Sequence, residues 1–418
     1  MALSGLPAIR SAMSNRNYRY YTAGNILSHF GSWIQRIAMG WLAWELEESG
    51  LWLGVVAIAE LGPAVILAPF AGAIADRIDR LRGIRSTQAL ALLQAMALAA
   101  VTYLGLASIA WLIVLAFVRG VIMAFNQPFR FAVLPSLVER KDLPAAIAIN
   151  SLSFNIARIL GPAVAAGLIA QWGVATAFTV NAFTFLVFIV TLFAIKLENP
   201  FKAEPRPLSN IPFEILEGMR YCVRMPGIAQ MFFLMAVVAM FGRAYVELMP
   251  GFADDVFGRG VDGLGILHSA IGGGAIFASI LLTMRGGITG LVRLVGWMVL
   301  LVGVGLIGFT ATSNFWFAVV SAALTGFGMV IIGVGEQQLI QNAVAGNLRG
   351  RVMSLYGMIS RGGPALGALL MGAASEWVGL RIPVAIGGLI CFGLCFWVFA
   401  RSRDMAEALE GEADGSGR

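Results

Sequence analysis

The sequence predicts an all-α membrane protein with 12 transmembrane helices in two pseudo-symmetric six-helix bundles. The first indication is composition: of 418 residues, 59% are hydrophobic and 12% are charged, whereas a soluble domain is nearer half apolar and a quarter charged. The mean hydropathy of +0.82 agrees, and the 50 glycines suit helices that pack closely in lipid. The other two indications are the number of long apolar runs and a repeat between the halves of the chain.

Twelve apolar runs are long enough to span a bilayer, because a spanning helix needs about 20 mainly apolar residues. In chain order they cover residues 22–44, 52–75, 87–107, 109–127, 145–170, 175–195, 228–249, 264–284, 291–311, 315–336, 353–374 and 382–400. We expect an N-terminal bundle over 1–196, a cytoplasmic linker over 197–227, a C-terminal bundle over 228–400 and a cytoplasmic tail over 401–418. The linker contains four prolines and a short helix predicted at about 213–223.

One motif occurs in both halves: a Ser-Leu pair, an arginine seven residues after the serine, and a Gly-Pro pair just beyond. Its copies are Ser151-Leu152 with Arg158 and Gly161-Pro162, and Ser354-Leu355 with Arg361 and Gly363-Pro364. A parallel repeat of this kind predicts that a rotation about an axis normal to the membrane relates the two halves.

Positive residues are distributed unevenly between the predicted loops. With the N-terminus inside, 22 of the 29 Lys and Arg residues, Arg130 among them, fall on the cytoplasmic side. Only Arg259 and Arg381 fall outside, and the other five lie within helices. Because cytoplasmic loops carry the excess of Lys and Arg, both termini are predicted to be cytoplasmic, which requires an even number of spans.

A dense charged cluster separates the second and third runs. It reads Gly72-x-x-x-Asp76-Arg77-x-x-Arg80. Gly72 would let two helices approach closely, Asp76 would accept hydrogen bonds at a helix N-terminus, and Arg77 and Arg80 would pair across a cytoplasmic mouth. This arrangement suits a gate, whereas a plain positive hairpin explains the arginines but not the Gly–Asp–Arg spacing.

The whole chain resembles the major facilitator superfamily, and within it the branch of enterobactin exporters and macrolide efflux proteins. The resemblance is carried by the loop signature at 72–80 and by a further set of motifs. These are Asn126-Gln127-Pro128, Leu134-Pro135-Ser136-Leu137-Val138, Asp142-Leu143-Pro144, Asn150-Ser151-Leu152, Ala157-Arg158-x-x-Gly161-Pro162 and Leu348-Arg349-Gly350-Arg351-Val352-Met353-Ser354. The resemblance implies a secondary transporter of a bacterial inner membrane, with efflux of a siderophore or drug coupled to proton entry. It also implies gating at Gly161 and Pro162, where the stretch is similar to the antiporter signature of the family.

Two groups at bilayer depth are proton-coupling candidates, Glu60 and Arg36. A helix rises about 1.5 Å per residue, which places both slightly outward of the midplane, and Glu60 is the only carboxylate deep in the N-terminal half. Charged groups at this depth usually face a cavity. A buried carboxyl that meets water and an arginine by turns can change its protonation state; a static structural pair is the alternative.

Further polar residues within the runs are candidates to line a substrate cavity. They are Arg119, Asn155, Arg158, Asn181, Arg243 and Arg361. Arg158 could instead cap carbonyls around a break at the Gly-Pro pair, and Arg243 could form a local pair with Glu247, four residues along the helix. Glu336, near the cytoplasmic end of the tenth run, is a gating candidate and the next choice as proton carrier.

Several function classes find no support in the sequence. There is no GxxxxGK[ST] phosphate loop, no catalytic constellation and no metal-ligand spacing among the three cysteines. We therefore expect no enzyme activity, no metal and no cofactor, with the proton gradient as the energy source. The expected partners are a small-molecule substrate and the lipid bilayer, without nucleic acid or an obligatory protein partner. Two alternatives are an importer of the same fold and a membrane scaffold or sensor that does not transport.

Overall fold

A computed structural model describes residues 5–75, 77–197, 211–344, 346 and 348–411. Within these residues all regular secondary structure is helical and there is no strand, which confirms the predicted all-α class. The helices of the first half are α1 (Gly5–Ser14), α2 (Arg16–Glu47), α3 (Gly50–Ala75), α4 (Arg80–Tyr103), α5 (Ile109–Val133), α6 (Leu143–Trp172) and α7 (Val174–Phe193). Those that follow are α8 (Ile211–Arg224), α9 (Pro226–Val237), α10 (Met249–Gly251), α11 (Gly260–Arg285), α12 (Leu291–Ala311), α13 (Phe315–Ala343), α14 (Arg349–Val378), α15 (Arg381–Ala400) and α16 (Ser402–Leu409).

Ten helices in the described part of the chain are long and apolar enough to cross a membrane. The two predicted runs that fall outside this set lie in α2 and α14. Their lengths of 32 and 30 residues are ample for a span, but polar side chains lower their mean hydropathy. In α2 these include Asn25, Gln35 and Arg36, all of which make contacts described below. The count of twelve spans therefore stays a prediction.

Packing divides the chain into two compact units. The first comprises Met1–Leu46 and Ile66–Leu208, and the second comprises Glu47–Val65 and Ser209–Arg418. Within the second unit the start of α3 packs on α14. Ser49 donates to Glu376 Oε1 at 2.7 Å, and a Cβ at Gly54 would come within 2.5 Å of the Leu369 backbone. The predicted halves are defined by the sequence repeat, whereas these units are defined by packing.

The repeated motif lies in helices of matching length. Helices α6 and α14 each have 30 residues with a proline inside, and each ends at a glycine with positive φ, Gly173 at 79° and Gly379 at 75°. A 20-residue helix follows in both places, α7 and α15. Since only glycine adopts this backbone conformation readily, the same helix ending is encoded twice.

The closest contacts between helices occur at glycines. This is expected in lipid, where the hydrophobic effect does not favour helix association and close packing of small residues does. Between α12 and α15, a Cβ at Gly303 would lie 2.6 Å from the Phe392 nitrogen, and one at Gly388 would lie 3.1 Å from the Gly303 carbonyl oxygen. Neither position leaves room for a side chain, so the two backbones touch.

Three short amphipathic helices pack on the spanning helices. In α1, Ser11 donates to Asp142 Oδ2 at 3.0 Å. The predicted linker helix is present as α8, where Glu217 pairs with Arg351 of α14 at 2.5 Å and Cys222 is buried. In α16, Leu409 is fully buried, so the start of the predicted tail is an ordered helix of the second unit.

Candidate functional site

A buried arginine with only neutral hydrogen-bond partners lies at the end of α5. Arg130 is 8% exposed. Its guanidinium donates to Asn126 Oδ1 at 2.6 Å, to Asn25 Oδ1 at 2.6 Å and to Ser28 Oγ at 2.7 Å. It also lies 5.0 Å from the ring centre of Phe188. Among the described residues no carboxylate reaches this guanidinium, so amide and hydroxyl dipoles stabilise the charge.

The partners of Arg130 are themselves tied to other helices. Asn126 donates to Thr87 of α4 at 2.8 Å, and Asn25 donates to Asn150 of α6 at 2.8 Å. The ring of His29 lies 3.2 Å from the Asn25 amide nitrogen and 3.5 Å from the guanidinium. Four helices of the first unit therefore meet at one polar network, which we call the Arg130 network.

The structure adds burial to what the sequence indicates for Arg130, whose cytoplasmic side stays a prediction. The predicted fourth run ends at 127, within Asn126-Gln127-Pro128, and Arg130 beyond it is predicted to be cytoplasmic. In the structure α5 continues through Pro128 to Val133, and this extra length carries Arg130 into the polar interior. The motif Asn126-Gln127-Pro128 could have indicated this burial, because its asparagine accepts a hydrogen bond from the Arg130 guanidinium.

A second polar layer contains two of the predicted cavity residues. Asn181 is fully buried and donates to Gln35 Oε1, and Gln35 donates to Gln94 Oε1 at 2.8 Å. Arg119 is 6% exposed and donates to the Ser32 carbonyl at 3.1 Å. Sequence reasoning did not single out Gln35 or Gln94, although both interrupt otherwise apolar runs.

The two proton-coupling candidates belong to different compact units. Arg36 is half-buried in the first unit, with its guanidinium 5.6 Å from the ring centre of Trp33. Glu60 is 9% exposed and belongs to the second unit. Their pairing stays a prediction.

Every residue of the predicted gating loop except Asp76 lies within the described part of the chain. Arg77 is exposed, and Arg80 donates to Ser136 Oγ at 2.9 Å. A Cβ at Gly72 would meet no atom within 4 Å, so the close helix approach expected there is absent from the described part of the chain. Asp79 begins α4 as its N-cap and accepts a hydrogen bond from the Arg82 amide at 2.8 Å.

On α6, the Gly-Pro pair is buried and the helix is unbroken. Pro162 lies inside a helix that continues to Trp172, and a Cβ at Gly161 would lie 2.6 Å from Trp33 Cβ of α2. The expected break, around which Arg158 might have capped carbonyls, is therefore not present; Arg158 is half-buried. Asn155 is exposed and donates to the Ser151 carbonyl of its own helix at 2.8 Å.

The second unit contains a small cavity with room for about one water-sized molecule. Its polar lining comes from the segment after α9 and from α13 and α14. Glu336 is 3% exposed, and its Oε1 has no hydrogen-bond partner among the described residues. The lining residues are Met235, Val238, Ala239, Arg243, Met329, Ile332, Gly333, Glu336, Tyr356 and Ser360. We call this space the Glu336 cavity.

The other polar groups of the Glu336 cavity have partners. Arg243 Nη1 donates to Ser360 Oγ at 3.4 Å, and the Tyr356 hydroxyl donates to the Gly333 carbonyl at 2.8 Å. The chain around Arg243 is not regular α-helix: it passes from a π-helix over Val238–Gly242 to a 3₁₀ turn over Ala244–Val246. The α-helical spacing expected between Arg243 and Glu247 is thus replaced by an irregular turn, of the kind that recurs at functional sites. Arg361, the last predicted cavity residue, is exposed on α14.

The Arg130 network and the Glu336 cavity occupy equivalent places in the repeat. Ser108 is the N-cap of α5 and Asn314 is the N-cap of α13, and each caps its helix with its side chain. Arg130 follows Ser108 by 22 residues and Glu336 follows Asn314 by the same number. The two units therefore bury a basic and an acidic side chain at the same helix position.

The repeated helix pattern and the buried ionisable groups in long apolar helices are typical of a polytopic solute transporter. A sequence model of the transporter family described as "Transmembrane secretion effector" matches residues 9–412. The chain belongs to this family of the major facilitator superfamily, which confirms the resemblance read from its motifs and shows that it is a transporter and not an enzyme.

Curated relatives match over most of their length. The Staphyloferrin A transporter of Staphylococcus aureus (strain NCTC 8325 / PS 47) is 28% identical over 387 residues, 92% of this chain and 96% of the relative. Macrolide efflux protein A of Streptococcus pyogenes is 22% identical over 390 residues, with 91% and 96% covered. The Enterobactin exporter EntS of Salmonella typhi is 26% identical over 330 residues, with 77% and 76% covered.

Solved structures with the same fold have lower sequence identity. A bacterial homologue of the human lysosomal transporter Spinster has a TM-score of 0.73 at 16% identity, with 95% of this chain and 99% of that chain covered. The peptide transporter POT in complex with sulfate has a TM-score of 0.74 at 15% identity, with 95% and 96% covered. These likenesses show the major facilitator fold.

Proposed function

We propose that this transporter exports an amphiphilic small molecule, of the siderophore or drug kind, in exchange for protons. It does so by alternating access in a bacterial inner membrane, with both termini cytoplasmic. The observation that carries the proposal is Glu336, a buried carboxyl with an unpartnered oxygen that lines a cavity together with Arg243. An ionisable group inside a spanning helix is costly and marks an ion or substrate pathway.

Glu336 meets the needs of a proton carrier. A charged carboxylate is expensive to bury unless it is paired, and the neutral form is free of that cost. Arg243 lines the same cavity and supplies a counter-charge for the ionised state. Opening of the cavity to water on one side and then on the other would let the carboxyl take up a proton and release it.

The relatives support the direction and the class of cargo. Among them a siderophore transporter, a macrolide efflux protein and an enterobactin exporter match most of this chain. The wall beside Glu336 mixes methionine and aliphatic side chains with a few polar groups, which suits contact with a cargo that has both apolar and polar parts.

The loop at 72–80 and the Gly161–Pro162 pair are the proposed gates. Gly161 is packed against Trp33, so a change in the angle between α2 and α6 would act at this contact. Glu60 with Arg36 is the second candidate for proton coupling, and vesicle assays of the two acids separate them.

Everted membrane vesicles that contain the full chain provide the test, with staphyloferrin A and a macrolide as probes. Export appears as accumulation in the vesicle lumen, and an acid lumen should drive it. Glu336→Gln should abolish accumulation against a gradient and leave downhill flux, whereas Glu407→Gln, an exposed acid on α16, should change neither.

Each other outcome contradicts part of the proposal. Loss of coupling in Glu60→Gln but not in Glu336→Gln would move the carrier to Glu60. Uptake by right-side-out vesicles with an inward proton gradient would indicate an importer. Absence of flux for every probe, with the protein folded, would favour a scaffold or sensor.

A further inference from the structure

One side of α8 packs on the second unit, and its contacts fix the rotation of this helix about its own axis. Glu217 pairs with Arg351, in the first turn of α14, at 2.5 Å. A Cβ at Gly218 would lie 3.2 Å from Arg351 Cβ, so the two helices approach closely there. Cys222, one turn further along α8, is buried. The opposite side of α8 must therefore face away from the helices of the second unit.

This opposite side carries large apolar side chains that are exposed. They recur at intervals of three or four residues, which places them on one face of a helix; they are Phe213, Leu216, Met219 and Val223. We call this set the α8 face. Val223 is 77% exposed and Phe213 is 64% exposed, so the described residues leave the α8 face open. A contiguous exposed apolar surface marks a place of interaction.

The connections of α8 place it at the edge of the lipid bilayer. Met225 is the one residue between α8 and α9, and the segment Pro226–Val246 is apolar and long enough to cross a membrane. One extended residue reaches about 3.5 Å, so the end of α8 lies at the start of this span. Gly218, about two turns before Pro226, lies beside the first turn of α14, which is a predicted span. Because two points along α8 lie at the starts of two such helices, its axis runs along the membrane boundary.

Positive side chains border the α8 face. Arg220 and Arg224, four residues apart, are exposed. The one acid among the described side chains of α8 is Glu217, and it is paired with Arg351. The charges of Arg220 and Arg224 are therefore available to an anion from outside the described chain. An arginine can lay its aliphatic part on an apolar surface and keep its guanidinium at the level of the lipid headgroups.

This combination fits a lipid surface better than a protein partner. Helices that lie in the membrane interface have an apolar face bordered by Lys and Arg, and basic residues beside a membrane attract anionic lipids. Lipid is already present where α8 meets α9, so it reaches the α8 face without a further encounter.

We propose that the α8 face binds anionic phospholipid from the leaflet at the start of α9. The acyl chains contact the four apolar side chains, and the lipid phosphates accept charge-assisted hydrogen bonds from Arg220 and Arg224. This lipid site is separate from the Glu336 cavity and does not depend on cargo or proton.

The test places a bimane label on Val223→Cys in the full chain, in nanodiscs that contain a nitroxide-bearing lipid. The native cysteines are buried, and the wild-type chain treated in the same way is the blank. The nitroxide is carried near the headgroup by either phosphatidylglycerol or phosphatidylcholine. Both lipids should quench the label, and aqueous iodide should quench it weakly. Phosphatidylglycerol should reach half-maximal quenching at about one-fifth of the mole fraction needed for phosphatidylcholine, or less, from the attraction of an arginine to an anionic membrane surface.

Two changes to the labelled chain isolate the charge. With Arg220→Gln and Arg224→Gln added, the apolar face is kept, and the two lipids should quench at the same mole fraction. Arg19→Gln with Arg140→Gln removes two exposed arginines of the first unit and should leave the preference for phosphatidylglycerol unchanged. Added salt should reduce this preference in the labelled chain itself, because salt screens exposed charges, and this measurement needs no arginine variant to fold.

Three results would overturn the lipid site. Quenching by iodide alone would place the α8 face in water. Protection from iodide and from both nitroxide lipids would show that protein covers the face, either another part of this chain or a partner. Equal quenching by the two lipids in the labelled chain with all its arginines would show apolar contact without recognition of an anionic headgroup.

Discussion

Arg130 and Glu336 occupy the same position in repeated helices, yet all three guanidinium nitrogens of Arg130 are hydrogen-bonded, whereas Glu336 has a carboxyl oxygen without a partner in the described structure. Arg130 is held by Asn25, Ser28 and Asn126 in the first unit. The apolar side of the Glu336 cavity includes Met235, which has no hydrogen-bond donor to offer the carboxyl. The repeat has thus produced a fixed charge in one half and an adaptable one in the other.

The first prediction follows from this difference. Arg130→Met leaves three buried acceptors without their donor, and each such loss is costly. We expect a loss of about 3 kcal/mol of stability, which is of the size measured when one partner of a buried charged network is removed. Thermal unfolding of the detergent-purified protein, followed by fluorescence or size exclusion, would measure it.

Two comparisons make the expectation specific. Arg140→Met removes an exposed arginine and should leave the melting temperature unchanged. Glu336→Gln removes no hydrogen bond seen in the described structure, and its effect should be much smaller than that of Arg130→Met. Equal melting temperatures for Arg130→Met and the wild type would show that the network does not stabilise the fold.

Much of the fold could be read from the sequence because membrane helices need long apolar runs and cannot leave backbone groups unpaired. The paired helices α6–α7 and α14–α15 were visible in the repeated Arg and Gly-Pro motif. The irregular turn after α9 was not visible in the sequence, because Val238–Gly242 is an ordinary apolar segment. Its π-helix packs closely against a neighbouring helix. Gly363, for example, brings α14 so close that a Cβ there would lie 2.5 Å from Ala239 Cβ.

The site was harder to predict than the fold, because burial of a polar residue depends on its neighbours in space. Asn181 and Arg119 were found as polar residues at mid-helix, and both are buried. Arg361 matched Arg158 in the repeat but is exposed. The burial of Arg130 was missed because its predicted run ends within the Asn-Gln-Pro sequence, and the partners that bury it come from helices distant in the chain.

A second prediction concerns two glycines of one helix. A Cβ at Gly161 would lie 2.6 Å from Trp33 Cβ, whereas one at Gly167 would meet nothing within 4 Å. Gly161→Ala should therefore destabilise the protein by about 1–3 kcal/mol, the usual cost of overpacking. Gly167→Ala should be neutral or slightly stabilising, since alanine is the better helix former. Melting temperatures of the two variants are the measurement, and equal effects would contradict the tight α2–α6 contact.

A third prediction concerns the end of the chain. Glu410 accepts hydrogen bonds from the Gly290 amide at 2.6 Å and from the Val292 amide at 2.8 Å, so it caps the start of α12 from a distant segment. Glu410→Ala should cost about 1 kcal/mol and speed hydrogen exchange at those two amides. Exchange measured by mass spectrometry would report it. Glu407→Ala, an exposed acid one turn earlier, is the control, and identical exchange in both variants would exclude the cap.

A fourth prediction concerns the reactivity of Cys222 on α8. Burial raises the pKa of this thiol to about 11, well above the value of about 8.5 for a free cysteine. The thiolate is the reactive form, so at pH 8 alkylation should be slow and should rise tenfold for each pH unit up to about 11. Mass spectrometry after N-ethylmaleimide treatment would follow it. A cysteine placed at exposed Ser86 should reach its full rate at lower pH, and equal pH profiles would show that Cys222 is accessible.

The last prediction concerns orientation in the membrane, which the distribution of Lys and Arg indicates. Ser86 follows the positive loop after α3, and Asp255 lies in the second unit between α10 and α11; both side chains are exposed. With cytoplasmic termini, Asp255→Cys should react with an impermeant thiol reagent added to intact cells, and Ser86→Cys should not. Everted vesicles should show the reverse, because the same reagent then meets the cytoplasmic face. Cys222 reacts slowly at neutral pH, and Cys391 and Cys395 are also buried, so each introduced cysteine can be measured without removing the native ones. Labelling of Ser86→Cys but not Asp255→Cys in intact cells would invert the topology, and export would then have to be reassigned to the opposite direction.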